Sequence, residues 1–255
     1  MKNFMETLHT RNEPLFWFGL ICLIGAVLCG ILIRLTDTQV LGINAWIKPM
    51  KFFLSTTIFC WSMAWYLDYL QMPLQANAFG WTMIVCLGLE ILYIVVQASK
   101  GELSHFNMST SFTSMMWSFM ALAATIIASY TAYIGILFFQ QDFPELPAHY
   151  LWAIRLGIIL FVIFAFQGFA MGARNAHTVG ALDGGAGLPI VNWSMRDGDL
   201  RVAHFIGMHA LQVIPILSYY VLRNLRLTVL LAVLYGALAL FTWIQALQGR
   251  PFLRV

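Results

Sequence analysis

The chain has 255 residues, 60% of them hydrophobic and only 10% charged, with a formal net charge of +3 and a mean hydropathy of +0.78. Soluble domains carry about 25% charged and about 45–50% apolar residues. The composition therefore excludes a disordered chain, an ordinary water-soluble enzyme and a nucleic-acid partner, and the small charge bears on membrane topology.

A membrane span needs about 20 mostly apolar residues to cross a hydrocarbon core of about 30 Å. Seven such runs are present, at 15–33, 52–70, 79–99, 112–139, 150–171, 202–222 and 228–247, and strand-like alternation is absent. The expected fold is all-α: a polytopic integral membrane protein, a seven-transmembrane-helix bundle forming one domain over 1–255, with a long cytoplasmic link at 172–201. Backbone groups in lipid must be satisfied within the segment, which leaves helices as the solution.

The first run is too long for a signal-peptide core and is read as a helix. It carries Cys22 and Cys29; Cys60 lies in the second run and Cys86 in the third. No CxxC occurs, so these thiols read as small apolar-run residues rather than a disulfide framework. The third run contains Glu90, with Tyr93 and Gln97 on the same helical face, and is followed by Lys100, Gly101, Glu102 and His105. A charge at mid-bilayer costs roughly 2.5–3.5 kcal/mol on insertion scales, so Glu90 should be buried and paired or protonated.

The fourth run is the longest and is rich in small residues, including Ala121, Ala123, Ala124 and Ala128, which permit close helix approach. Arg155 in the fifth run is expected to snorkel or to pair with Asp68. That run ends with Gln167, then Gly172 and Arg174; the third ends with Gln97 and Gly101, the seventh with Gln245 and Gly249. The glycines read as helix C-caps, and the three glutamines as the lining of a shared polar cavity. Trp46, Trp61, Trp65, Trp81, Trp117 and Trp152 fall near span ends and read as interfacial anchors.

The link 172–201 supplies His177, Asp183, Asp197 and Asp199. Asp199 reads as the N-cap of the sixth helix. Arg201 and His204 share one face of that helix, and His209 and Gln212 reach deeper. His204 and His209, five apart, diverge by about 140° and cannot grip one ion. Glu90 is expected to meet His209 or Gln212 as a proton relay. The seventh run contains no lysine, which excludes a retinal Schiff base there.

The size and span number are similar to those of the membrane hydrolase superfamily that includes alkaline ceramidases and adiponectin-type receptors. Its late-helix HxxxH is missing here, and no residue is carried over.

The leading functional expectation is a protein that binds or transports a small polar or amphiphilic ligand in a cytoplasm-facing cavity. Glu90, Tyr93, Gln97, Arg201, His209, Gln212 and Gln245 would form its binding or proton-relay residues. The alternative is a membrane enzyme acting on a lipid, with His105, His177, His204 and Asp199 as metal ligands. A haem or quinone redox protein with His209 as an axial ligand is a third reading; the cofactor is unknown. Membrane lipids are expected partners for the basic rim. The basic residues at 34, 48, 51, 100, 174, 196, 201, 250 and 254 outnumber those at 2, 11, 223 and 226. That bias places the C-terminus in the cytoplasm of a bacterial inner membrane and the N-terminus outside.

Overall fold

A computed structural model of the protein describes residues 3–253. The chain is 73% helical. Its helices are α1 (Phe4–Arg11), α2 (Glu13–Leu35), α3 (Ile47–Tyr69), α4 (Pro73–Lys100), α5 (Ser111–Gln140), α6 (Ala148–Gln167), α7 (Phe169–Arg174), α8 (Leu200–Leu217) and α9 (Leu225–Leu247). Two short hairpins interrupt them: β1 (Gln39–Val40) with β2 (Ile43–Asn44), and β3 (Thr178–Val179) with β4 (Gly198–Asp199), both antiparallel. The chain divides into two compact units, Met1–Ile127 and Ala128–Val255, and α5 contributes residues to each.

Among the described residues six helical segments are long and apolar enough to cross a membrane: Glu13–Leu35, Pro73–Lys100, Ser111–Gln140, Ala148–Arg174, Leu200–Leu222 and Leu225–Leu247. The chain is thus a multi-pass membrane protein by length and composition. The expected seventh span, α3, is 23 residues long but does not join this set. Ser55, Thr56, Thr57, Ser62 and Asp68, together with Trp61, Trp65, Tyr66 and Tyr69, dilute its apolar content.

In the first unit, α1 opens with a capping box. Asn3 accepts from the Glu6 N–H at 2.8 Å, and Glu6 accepts from the Asn3 N–H at 3.0 Å. Asn12 closes α1 and caps α2, accepting from the Leu15 N–H at 3.1 Å. The α2–α3 contact is built on small residues facing rings. A Cβ on Gly19 would lie 2.3 Å from Trp61, and one on Gly25 would lie 2.6 Å from Phe53. Across the same seam Thr57 Oγ1 donates to Gly19 O at 3.1 Å and Trp61 Nε1 donates to Phe16 O at 3.2 Å. Trp61 therefore anchors α2 to α3 rather than marking a span end. Gly101 closes α4 in the left-handed conformation, at φ 71°, as expected of a C-cap glycine.

The second unit packs α6, α8 and α9 around small residues. One cluster joins Ala153, Ala210, Ile214 and Ala232; a second joins Phe164, Ala203 and Ala239. Between the two clusters the numbering rises along α6 and α9 and falls along α8. Hence α6 and α9 run parallel, with α8 antiparallel to both. Gly207 sits against the Phe164 ring and Gly157 against the Ala210 carbonyl, so backbones approach where side chains are missing. The fifth run does not end on a Gly172 cap. The chain breaks at Gly168, continues as α7, and turns at Asn175 in the left-handed conformation, at φ 48°.

Pro215 lies inside α8 and has no N–H to donate. The helix then widens into a π turn, Ser218–Leu222, which ends at Arg223 with φ 47°. The buried Ser218 hydroxyl stitches this turn down, 3.0 Å from His149 O and 2.8 Å from Thr228 Oγ1. The link 172–201 is folded: β3 pairs with β4, Gly187 bridges Ser194, and Trp193 packs edge-on against Phe205 and Phe252.

Candidate functional site

In the first unit, Glu90 is 7% exposed on α4. Its ionic partner is His105, with Oε1 3.6 Å from Nε2. The His105 ring is held by Ser104 Oγ at 3.2 Å from Nδ1 and by Phe52 and Trp117, whose centroids lie 5.5 and 5.4 Å away. The expected partner of Glu90 was His209 or Gln212; its partner within its own unit is His105, which the sequence suggested as a metal ligand. Gln97 is buried and donates from Nε2 to Glu102 Oε2 at 3.2 Å and to Leu103 O at 3.0 Å. It fastens the turn that delivers His105. Tyr93 is buried with its hydroxyl unpartnered.

Within its own unit Arg155 takes a backbone carbonyl. It donates from Nε to Phe138 O at 2.8 Å, at the C-terminal end of α5, and lies over the Phe139 and Trp152 rings. Asp68 sits 3.5 Å from Arg11, whose guanidinium stacks on Trp65 and donates to Trp65 O at 2.9 Å. Arg155 is thus held by a helix end and rings, and Arg11 by a helix end, rings and the Asp68 carboxylate.

The end of the second unit that carries the link holds two ion pairs, Asp199 with Arg201 and Asp183 with His177. Asp199 caps α8, accepting from the Arg201 N–H at 3.0 Å, and its buried carboxylate accepts from the Arg201 guanidinium at 2.9 and 2.6 Å. Asp183 accepts from His177 Nδ1 at 2.8 Å and from the backbone N–H groups of His177 at 3.1 Å and Thr178 at 2.9 Å. Burial alone would raise the Asp183 pKa. The His177 hydrogen bond and charge, with the backbone donors, reverse this and hold it below the usual carboxylate range. Sequence reading missed Asp183 as a partner, although only six residues separate it from His177 and a local turn brings it back onto the His177 and Thr178 N–H groups.

His204 Nδ1 donates to Phe164 O at 2.7 Å. His209 is half-buried, and its Nδ1 donates to Phe205 O one turn back at 2.8 Å. Gln212 is half-buried. Gln245 donates to Pro251 O at 2.6 Å and so ties down the segment after α9. Two of the three glutamines are thus local fasteners rather than cavity lining. Among the described residues no three His, Cys, Asp or Glu side chains converge in a way that could hold a metal. His105, His177, His204 and Asp199 make no metal set: the first faces Glu90, the second Asp183, the third a carbonyl and the fourth Arg201. Cys22, Cys29, Cys60 and Cys86 are free thiols.

The third glutamine is different. Gln167 is 5% exposed, and neither Nε2 nor Oε1 has a hydrogen-bond partner. Trp243 on α9 also has a buried, unpartnered Nε1. Leu160 of α6 packs 3.0 Å from the position of a Gly236 Cβ on α9. The two helices are parallel, and Gln167 and Trp243 each lie seven residues, about two turns, beyond that contact. They therefore stand at the same level. Leaving such groups desolvated costs about 1–3 kcal/mol each, so a native site of this kind calls for a partner. Trp243 was not singled out from sequence; its register against Gln167 is set only by how α6 and α9 pack.

Comparison with known proteins finds no matching family model, no similar curated protein and no similar solved structure.

Proposed function

We propose that this multi-pass membrane protein binds a small polar or amphiphilic ligand at the link-bearing end of its second unit, between α6, α8 and α9. The observation that carries this reading is Gln167: a primary amide, almost fully buried within an apolar helix set, with neither of its polar atoms partnered. A ligand would supply the missing hydrogen bonds, and His204 and the folded link would lie beside it. Arg201 serves the site by holding Asp199 and the start of α8 in place.

In this reading α3 crosses the membrane as the seventh span, since 23 helical residues are enough to do so. The basic-residue bias then puts the link and the C-terminus in the cytoplasm of a bacterial inner membrane, with anionic lipid headgroups against the basic rim. The Glu90–His105 pair supplies a proton-linked element in the first unit, in place of the Glu90–His209 relay.

Native mass spectrometry of the purified protein tests the binding site. The wild type should carry a bound mass that Gln167→Leu lacks, while the variant remains folded. The same bare mass for both would defeat the reading.

One observation favours a second reading, an enzyme at the membrane surface. Asp183 fixes the His177 imidazole through Nδ1, the arrangement that orients a general base. Esterase activity abolished by His177→Gln and strongly reduced by Asp183→Asn would support it; activity indifferent to both would remove it.

A further inference from the structure

We infer that the Gln167–Trp243 site takes a neutral amphiphile whose headgroup carries a carbonyl acceptor beside an N–H or O–H donor on the same edge, as in a primary amide. This rests on the binding reading above and names the ligand class. The unpartnered atoms define the complement. Gln167 Nε2 and Trp243 Nε1 are donors and together fit carbonyl oxygen; Gln167 Oε1 is an acceptor and requires a donor from the ligand. A primary amide presents this pair on one edge, as the Gln167 carboxamide itself does, whereas the C=O and N–H of a trans secondary amide point apart.

The electrostatics around the site argue for neutrality. Asp199 and Arg201 satisfy each other, Asp183 is engaged by His177 and two backbone N–H groups, and His204 Nδ1 is spent on Phe164 O. An ionised headgroup buried here would find these groups already committed to each other, and its desolvation costs far more than that of a neutral group. The surroundings also suit an apolar tail. Leu160, Phe164, Ile206 and Ala239 pack together in the cluster that receives the Trp243 ring, one turn from Gln167.

The test is equilibrium dialysis of radiolabelled probes against the full-length protein in lipid nanodiscs, with empty nanodiscs subtracted. Four probes share one acyl or alkyl chain: decanamide, methyl decanoate, decanoate and decylammonium. The amide should bind tightest. Gln167→Leu should weaken it at least about tenfold, and Trp243→Phe by several-fold, the loss expected when a buried hydrogen-bond partner is removed. The ester lacks the donor and should bind about tenfold more weakly than the amide to the wild type. For the ester, Gln167→Leu should then cost less than it does for the amide.

If decanoate or decylammonium binds the wild type better than the amide and loses that binding in Gln167→Leu, the neutral class is wrong but the site stands. If no probe distinguishes the wild type from Gln167→Leu and Trp243→Phe, the site itself falls and ordinary packing or water satisfies these groups. Gln167→Met keeps the side-chain length and serves as the folded control should the leucine variant fail to assemble.

Discussion

Glu90 Oε1 stands 3.6 Å from His105 Nε2, so a carboxylic acid buried in a membrane-length helix is matched by an imidazole delivered from the turn that follows the same helix. Both partners belong to one short stretch of chain, and Gln97 holds the turn in place through Glu102 and Leu103. Removing one member should cost the other this contact, while Ser104 stays on His105 and the Lys48 charge still acts on Glu90. His105→Ala is expected to destabilise the protein by about 1–3 kcal/mol, whereas Glu90→Gln, which stays polar but neutral, should cost less. A double-mutant cycle read by thermal unfolding in detergent should show a coupling above about 0.5 kcal/mol. Additive effects would mean that the two side chains are merely adjacent.

The link 172–201 should loosen in acid, and the sign follows from Asp183. Its folded-state pKa is depressed, so its contribution is complete above the unfolded value of about 3.9 and is lost as the pH falls through the folded value. Exchange of the His177 and Thr178 amides, corrected for intrinsic rates, should change little between neutral pH and about pH 5 and rise below about pH 4. Asp183→Asn should raise it at neutral pH by about tenfold or more, because the charge-assisted bonds are already gone. Equal protection in the variant would show that β3 and β4 hold the link without the carboxylate.

Two glycines should behave oppositely. A Cβ on Gly207 would lie 2.0 Å from the Phe164 ring, within the α6–α8 contact, whereas one on Gly30 meets nothing within 4 Å. Gly207→Ala is expected to lower folded yield sharply and to be partly rescued by Phe164→Leu. Gly30→Ala should be neutral or stabilising by up to about 1 kcal/mol, through helix propensity. Fluorescence-detected gel filtration of the three variants checks this, and a well-folded Gly207→Ala alone would contradict the packing described.

Arg155 caps α5 within the second unit. Arg155→Met keeps the stem but abandons the Phe138 carbonyl and should cost about 1–2 kcal/mol. Arg155→Lys should recover only part of this, since an ammonium lacks the planar face that lies over Phe139 and Trp152. Full recovery by lysine in a thermal-unfolding assay would show that charge alone matters.

The sequence alone determined the class of this protein. An apolar fraction of 60% and membrane-length runs leave a helical membrane chain as the physical solution, because a span must satisfy its own backbone. Local signals were equally legible: Asp199 as the α8 N-cap and Gly101 as the α4 C-cap depend on neighbours within a turn. The seventh span was not secured, because α3 mixes enough hydroxyl, aromatic and charged residues into its length to blur the apolar signal. The chemistry was decided by tertiary structure. Spacing could place Glu90, His105, His177 and Gln167 on their segments but not choose among partners; the turn after α4 selected His105, and the turn between His177 and Asp183 selected Asp183. Gln97, Gln167 and Gln245 look alike in sequence, yet two are consumed by the chain that follows them and one is left buried beside the level of Trp243. That difference is invisible to periodicity, because a buried polar atom is satisfied or orphaned by whatever the neighbouring helices bring within about 3 Å of it.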